Sequence, residues 1–281
     1  MTWMVTGAAG MLGRDLVDRL RARGLGVLAV SRGDLDVCAA DDVRNAVRRA
    51  RPTVVVNCAG WTAVDDAEAH EDAALAVNGT AVGVLAEACA DNGARLVQIS
   101  TDYVFDGRGG RPYPEHAATA PLNAYGRTKL AGERAVLGTG DGYVVRTAWL
   151  YGAHGRNFVR TMIRLAAERD TVEVVDDQHG QPTWTRALAE QIIALVHADA
   201  PAGVYHGTNA GRTTWYGLAR EVFALLGLDP GRVRPTTSAK FPRPAVRPAC
   251  TVLGHARWAE TGLPPMAHWR DALHEAWPAL R

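Results

Sequence analysis

The stretch VTGAAGMLG, Val5–Gly13, comes directly after a short apolar run and opens a helical pattern. Its glycines, Gly7, Gly10 and Gly13, permit a tight turn and a close approach of the backbone to a pyrophosphate, and a helix N-terminus offers free N–H groups. The spacing is G-x-x-G-x-x-G and departs from the commoner G-x-G-x-x-G fingerprint. An ordinary glycine turn is the alternative, but the order strand, turn and helix favours a dinucleotide-binding site.

The first half of the chain alternates short β-branched runs with longer helical stretches. The pattern predicts strands at Trp3–Thr6, Gly26–Ser31, Thr53–Ala59, Arg95–Ser100 and Tyr143–Thr147. It predicts helices from Met11 to Gly24, from a cap at Asp41 and Asp42 to Pro52, through an alanine-rich stretch ending at Asn92, and from Ala124 to Leu137. Repeated β-α units with short links imply an α/β fold with a doubly wound parallel sheet, a Rossmann domain over residues 1–150.

This alternation loosens after about residue 150. Helices are predicted at 157–169, 185–198, 214–226 and 268–280, a strand at 171–175, and a proline-rich loop at 232–248. We therefore expect residues 151–281 to form mainly a smaller α/β substrate-binding lobe. Segments at about 184–206 are expected to return to the Rossmann domain.

Composition excludes several classes of protein. A formal net charge of +1 over 281 residues gives no general reason to expect a nucleic acid or a membrane surface as partner. The four cysteines are scattered, which is typical of reduced thiols in a cytosol. The first strand begins almost at Met1, which leaves no room for a signal peptide, and no apolar run approaches the ~18 residues of a membrane helix. We expect a cytoplasmic protein, and a homodimer stays open.

No catalytic metal is expected. The nine histidines show no H-E-x-x-H motif or comparable spacing. Asp65, Asp66 and Glu68 resemble a metal cluster, but we expect them to cap and solvate the start of a helix.

The end of the second strand decides between the two nicotinamide cofactors, because a carboxylate there holds the ribose 2′-hydroxyl of NAD. The sequence reads VSRGDLD, Val30–Asp36, so Ser31 and Arg32 occupy the place of the acid. These residues suit a 2′-phosphate, and Asp36 is expected beside the adenine. NADPH is the favoured cofactor; a solvated Arg32 would leave NADH as the alternative.

The segment QISTDYVFDG places Ser100 and Thr101 at the carboxyl end of the fourth strand, where ligands of open α/β sheets bind. The next helix carries Tyr125 and Lys129 in NAYGRTKLAGE, one turn apart on the same face. A phenol has a pKa near about 10, and a nearby ammonium would lower it toward the working range. A compact ammonium can also reach a ribose hydroxyl, which a planar guanidinium does less well. Lys129 is one of only two lysines, in a chain that otherwise uses arginine.

Together these motifs resemble the extended short-chain dehydrogenase/reductase superfamily. More closely, the chain resembles the dTDP-4-dehydrorhamnose reductase family and the related dTDP-dihydrostreptose synthases of antibiotic pathways. The resemblance extends from the first strand to the C-terminal helix. It rests on the segments NCAGWTAVDDAE, STDYVFDG, NAYGRTKLAGE, RTAWLYG, RNFVRTM and DDQHGQPTW.

The resemblance implies reduction of a dTDP-4-keto-6-deoxy sugar by NADPH, with dTDP-4-dehydro-L-rhamnose or the dihydrostreptose precursor as the expected substrate. Tyr125 would protonate the developing alkoxide, Thr101 would hydrogen-bond the carbonyl oxygen, and Lys129 would tune the tyrosine and hold the nicotinamide ribose. Further contacts carried over to the cofactor are Gly10, Met11 and Leu12 at the pyrophosphate, Asp36 and Val37 at the adenine, and Ala59, Gly60 and Thr62 along the wall. Contacts carried over to the substrate are Ser100, Asp102, Tyr103 and Trp149 near the sugar and Asn157 near its nucleotide.

One departure concerns the segment after the third strand. Many relatives have Ala-Ala-Tyr-Thr or Ala-Ala-His-Thr there, whereas this chain has Ala59, Gly60, Trp61 and Thr62. The glycine would loosen the cofactor wall and Trp61 would reshape the sugar pocket. The exact sugar therefore stays open.

Two arginine pairs are weaker candidates. Arg160 and Arg164, one turn apart on a helix, would meet the substrate pyrophosphate or form a solvated stripe. Arg243 and Arg247, in the proline-rich segment, would close over the nucleotide or remain flexible surface.

Two other functions share this scaffold. An epimerase would keep and recycle its nicotinamide, and a regulatory subunit resembling the methionine adenosyltransferase β subunit would bind a partner enzyme. A dehydratase is disfavoured, because its Asp-Glu pair is replaced here by Asp102 and Tyr103.

Overall fold

The structure, a computed structural model, describes residues 1–281. Its strands are β1 (Thr2–Thr6), β2 (Gly26–Val30), β3 (Val54–Asn57), β4 (Arg95–Thr101), β5 (Tyr143–Thr147), β6 (Leu150–Tyr151), β7 (Val172–Val175), β8 (His179–Gly180), β9 (Thr183–Trp184), β10 (Gly203–His206), β11 (Thr213–Thr214) and β12 (Val233–Thr236). Its α-helices are α1 (Met11–Ala22), α2 (Ala40–Ala50), α3 (Asp66–Ala69), α4 (Glu71–Leu75), α5 (Ala81–Asp91), α6 (Ala124–Gly138), α7 (Phe158–Glu168), α8 (Thr185–His197), α9 (Trp215–Leu225), α10 (Trp258–Thr261) and α11 (Trp269–Leu280).

Six parallel strands form the central sheet in the order β10-β5-β4-β3-β1-β2. All four residues of β3 are buried, because a parallel strand covered by helices on both faces has no solvent side. Alternate strand residues pack under α1 and α8 on one face and under α2, α5 and α6 on the other. The predicted doubly wound Rossmann sheet is confirmed.

A second core of 18 buried residues lies outside this sheet, among α7, α9, α11 and the parallel pair β7-β12. The prediction of a loop over the proline-rich segment is wrong at its start, since Val233–Thr236 forms β12. Pro235 is compatible with this strand because β12 pairs on one side only.

Elements from the second half of the chain complete the central sheet and its core. Helix α8 packs beside α1, and β10 extends the central sheet next to β5. Trp258 and Met266, late in the sequence, join the same buried cluster as β1 and α1.

Two predictions about helices need correction. The alanine-rich helix is divided into α3, α4, a π-helical turn at Ala76–Thr80 and α5, and α2 is preceded by Ala39, with Asp41 and Asp42 inside its first turn.

The continuous helical stretch Glu71–Asp91 is also long and apolar enough to cross a membrane, with a mean hydropathy of 1.5, contrary to the expectation that no run approaches that length. Half of the most apolar 18-residue window within this stretch is buried inside the protein, as in a core helix. The stretch is therefore weak evidence for a membrane segment.

Candidate active site

The glycine turn between β1 and α1 brings the chain close to its neighbours. Gly7 has a left-handed φ of +62°, and a Cβ there would lie 2.5 Å from the Ala59 nitrogen. A Cβ on Gly13 would lie 2.3 Å from the Gly7 carbonyl oxygen. Helix α1 begins at Met11 without a side-chain cap, so its first amides remain available to an anion.

Two adjoining cavities flank this turn, of about 590 Å³ and about 350 Å³. The larger one is lined by most of the predicted site residues, namely Gly10, Met11, Leu12, Gly13, Ala59, Gly60, Thr62, Ser100, Thr101, Asp102, Tyr103, Tyr125, Lys129 and Trp149. The smaller one is lined by Gly7, Gly10, Ser31, Arg32, Asp36, Val37, Ala59 and Gly60, also predicted. An elongated ligand that crosses a glycine turn fits this pair of cavities, so the residues present suit a dinucleotide.

Helix α6 presents Tyr125 to the main cavity, and its N-terminus is fixed by two side chains. The Asn123 side-chain oxygen accepts from the Gly126 backbone N–H at 2.8 Å, and a Glu68 carboxylate oxygen accepts from the Ala124 N–H at 2.8 Å. Glu68 therefore caps α6, a helix far along the chain, rather than the start of its own helix as predicted. Asn123 is a typical N-cap residue and could have been identified from sequence.

Burial dominates the chemistry of Tyr125. It raises the pKa of the phenol to about 12, while a hydrogen bond with the Thr101 hydroxyl lowers that pKa and the Asp102 carboxylate raises it. Burial, Thr101 and Asp102 account for this shift, and the expected lowering of the Tyr125 pKa by Lys129 stays a prediction. A raised pKa keeps the phenol protonated at neutral pH, which suits a proton donor.

Lys129 is buried, and burial lowers the pKa of its ammonium to about 8. Its Nζ donates to the Ile99 carbonyl oxygen at 2.5 Å. The Glu133 carboxylate, one turn further along α6, opposes the effect of burial and raises the pKa of Lys129. The ammonium therefore lies at the carboxyl end of β4, close to Gly60.

Sequence reasoning missed the buried ion pair beneath this lysine. Glu133 on α6 pairs with Arg146 on β5 through two hydrogen bonds, of 2.9 Å and 2.7 Å. Ser100, predicted as a substrate contact, donates its hydroxyl to the same carboxylate at 2.5 Å. The Ser100 hydroxyl is thus engaged inside the protein, while the residue still lines the main cavity, and its contact with the substrate stays a prediction.

Thr101 and Asp102 are tied together. The Thr101 hydroxyl donates to Asp102 Oδ1 at 3.0 Å, and the Thr251 hydroxyl donates to Asp102 Oδ2. Burial raises the pKa of Asp102 to about 6, and the hydrogen bonds from Thr251 and Thr101 oppose this shift. Thr101 lines the main cavity beside Tyr125, and its hydrogen bond with a substrate carbonyl stays a prediction. Asp102 is only 2% exposed but also lines this cavity, and its contact with the sugar likewise stays a prediction.

Two stacked indoles form the far wall of the main cavity. Trp149 and Trp215 lie 3.6 Å apart between ring centroids with an interplanar angle of 10°. Trp149 has an unusual φ of +47°, and a Cβ on Gly180 would lie 2.5 Å from its ring. Tyr103 packs edge-on against Tyr125, at 5.9 Å between centroids. Trp215 was not predicted, since nothing in its local sequence links it to Trp149.

The segment after β3 is held by Asn78, a residue in the π-helical turn. The Asn78 side chain accepts from the Trp61 N–H at 2.9 Å and donates to the Trp61 carbonyl oxygen at 3.1 Å. This clamp fixes the backbone of Gly60 beside the cavity, so the predicted loosening of the wall is opposed by a side chain that the sequence did not reveal.

Asn157 caps helix α7. Its side-chain oxygen accepts from the Arg160 N–H at 3.0 Å, and its amide donates to the Gly152 carbonyl oxygen at 2.9 Å. It lines a groove with Arg156, Arg160 and Arg164 that meets the main cavity at Arg156. Its contact with the substrate nucleotide stays a prediction.

The proline-rich segment is joined to the first lobe by an ion pair. Arg247 donates to both carboxylate oxygens of Asp65, at 2.5 Å and 3.0 Å, and Asp65 also accepts from the Ala245 N–H. Arg243 and Arg247 line a further cavity of about 460 Å³ that adjoins the main one at Trp215. Asp65 was predicted to cap a helix, so this contact is a correction. In the structure, no group of three or more His, Cys, Asp or Glu side chains is placed to hold a metal ion.

Comparisons with known proteins identify the family. A model of the RmlD substrate binding domain matches residues 1–281. A dTDP-4-keto-6-deoxy-D-glucose reductase of Streptomyces niveus is 59% identical over 280 residues, with 99% of this chain and 97% of the relative covered. A dTDP-4-dehydrorhamnose reductase of Streptomyces griseus is 59% identical over 284 residues, with 99% and 93% covered.

Solved structures agree with this match. A dTDP-4-dehydrorhamnose reductase of Bacillus anthracis in complex with NADP superposes with a TM-score of 0.95 at 35% identity, with 99% of each chain covered. The chain therefore belongs to the RmlD substrate binding domain family, the dTDP-4-dehydrorhamnose reductases of the extended short-chain dehydrogenase/reductase superfamily.

Proposed function

We propose that this chain reduces the 4-keto group of a dTDP-linked 4-keto-6-deoxy sugar with NADPH. The observation that carries the proposal is the position of Tyr125. It lies in the cavity that adjoins the glycine turn, with its phenol hydrogen-bonded to Thr101 and kept protonated by burial. The 59% identical relatives act, by their names, on dTDP-4-keto sugars.

The chain supplies a proton and a fixed geometry. When bound, NADPH provides the hydride for the carbonyl carbon. Tyr125 donates its phenolic proton to the developing alkoxide, a step worth roughly 10²–10⁴ in rate. Lys129 places a positive charge beside the tyrosine, where it can hold the nicotinamide ribose. The first amides of α1 offer donors to the cofactor pyrophosphate.

The stacked pair Trp149 and Trp215 is assigned to the sugar, because both indoles line the main cavity and neither lines the smaller cavity beyond the glycine turn. Flat apolar rings favour the 6-deoxy face of a sugar over a hydroxylated one. Two relatives that are each 59% identical to the chain carry different sugar names, and we assign the choice of sugar to individual residues of this wall.

The test is to follow NADPH absorbance while a panel of dTDP-4-keto-6-deoxy sugars, made in situ by dehydration and epimerisation, is added to the purified protein. Consumption with at least one sugar, and NMR of the product, would establish the reaction and the C4 configuration. No consumption across the panel would reject the proposal. Protein that copurifies with nicotinamide and interconverts sugars without net consumption would instead be an epimerase.

A further inference from the structure

The end of β2 carries an acid that the sequence pattern did not bring out. Asp34 folds back so that its Oδ2 accepts from the Ser31 backbone N–H at 2.9 Å and from the Ser31 hydroxyl at 2.6 Å. The Asp34 N–H donates to the Ser31 carbonyl oxygen at 3.1 Å, which closes a tight turn. The Ser31 hydroxyl, predicted to receive a 2′-phosphate, is therefore already engaged by a carboxylate.

Two residues of opposite charge follow the end of β2. Arg32 lines the smaller cavity together with Ser31 and Asp36, and its guanidinium has no ion-pair partner among the salt bridges of the protein. Asp34 does not line this cavity itself but lies directly behind Ser31, which does. The hydrogen bonds from Ser31 lower the pKa of Asp34, so its carboxylate is ionised at neutral pH.

The end of the second strand is where this kind of fold places the adenosine ribose. A 2′-phosphate is attracted by Arg32 and repelled by Asp34, whereas a 2′-hydroxyl can donate to a carboxylate and gains little from the guanidinium. Both groups are exposed, so each effect is moderate and screened by salt.

We propose that Asp34 is a specificity-determining residue that reduces the preference of the protein for NADPH over NADH, in opposition to Arg32. The inference rests on the proposed function only in taking NADPH and NADH as the two ligands to compare. It concerns the cofactor end of the site and leaves the sugar untouched.

The experiment measures dissociation constants of NADPH and NADH by nucleotide fluorescence for wild type and three variants, so no sugar turnover is needed. Asp34→Asn keeps an acceptor for Ser31 and removes the charge; the ratio Kd(NADH)/Kd(NADPH) is expected to rise about three- to tenfold. Arg32→Gln is expected to lower that ratio by a similar factor. Asp91→Asn, an exposed acid at the end of α5, is the control for net charge and should leave the ratio unchanged.

Salt provides a second readout that a purely structural role would not move. The increase in Kd(NADH)/Kd(NADPH) caused by Asp34→Asn should shrink when ionic strength is raised from about 0.02 M, where screening is weak, to about 0.5 M, where it is strong. An unchanged ratio in Asp34→Asn, or an equal change in Asp91→Asn, overturns the proposal. Binding of both cofactors without reduction of any sugar would reject the proposed function and still decide the role of Asp34.

Discussion

The cofactor side of the main cavity is built from two short continuous segments, Val5–Gly13 and Cys58–Thr62, whereas its sugar side is built from side chains far apart in the sequence. The glycine turn lines the cavity with backbone groups, and its motif is contained in nine consecutive residues. The indole pair joins Trp149 to Trp215, and Gly180 supplies the space for it.

The two sides of the cavity therefore differ in how well they tolerate substitutions. A backbone cradle tolerates little change, because a single Cβ at Gly13 would meet a carbonyl oxygen at 2.3 Å. A wall of side chains can be altered one residue at a time while the sheet stays intact. We therefore expect substitutions on the sugar side to change sugar binding without changing NADPH binding, and the following predictions test that separation.

The largest effect is expected for Tyr125→Phe, at the junction of the two sides. Loss of the phenolic proton should lower kcat by about 10²–10⁴, because no other proton donor of the chain is assigned to the carbonyl oxygen. The Kd of NADPH should stay within about twofold, since the ring remains in place. Steady-state kinetics and fluorescence titration measure the two quantities. Simultaneous loss of both would mean that Tyr125 is mainly structural.

Lys129→Arg should follow, with a loss of activity of about 10²-fold. The lysine is buried against the Ile99 carbonyl oxygen, and a planar guanidinium does not fit the space of a compact ammonium. In the wild type, the lowered pKa of about 8 means that the ammonium is lost as pH rises through 8, so kcat/KM should fall above that pH. Near-wild-type activity of Lys129→Arg at pH 7 would contradict this assignment.

Gly180→Ala tests the sugar side alone. Its new Cβ would lie 2.5 Å from the Trp149 ring and would push the indole off Trp215. We expect the KM for the sugar to rise about tenfold, equivalent to roughly 1.4 kcal/mol, with an unchanged Kd of NADPH. Gly138→Ala, where a Cβ meets nothing within 4 Å, is the matched control. A parallel loss of NADPH binding would show that the two sides are coupled.

The smallest effect is expected for Asp65→Asn, which weakens the ion pair with Arg247. Both side chains are partly exposed, at 34% and 20%, so the change in free energy of unfolding should be about 0.2–1 kcal/mol. The KM for the sugar should rise a few-fold, because Arg247 borders the cavity next to Trp215. Thermal unfolding and kinetics check both numbers. A stability loss of several kcal/mol would mean that the pair is a main support of the proline-rich segment.

The sequence was informative where function depends on neighbouring residues. The order of β1, the glycine turn and α1 predicts the sheet, and the spacing from Tyr125 to Lys129 predicts that both face one cavity. These predictions succeed because helix and strand periods are local properties.

The sequence did not reveal which polar side chains already form hydrogen bonds inside the folded protein. Ser100 and Asn157 have the right residue type and position, yet Glu133, Gly152 and the α7 backbone take up their polar atoms. Burial, the largest cause of the raised pKa of Tyr125, is likewise set by the tertiary structure around the helix. A polar residue in a motif can be predicted near a site, but its availability is a tertiary property.

The edge strand β10 and the helix α8 have a consequence for the order in which the protein is made. Both complete the first lobe, yet residues 185–206 leave the ribosome only after β6, α7 and β7 of the second lobe. A nascent chain of about 150 residues therefore exposes the hydrogen-bonding edge of β5 and the apolar stripe of α1. Synthesis must run past His206 before the central sheet has all six strands, and past Met266 before the cluster shared by β1 and α1 is complete.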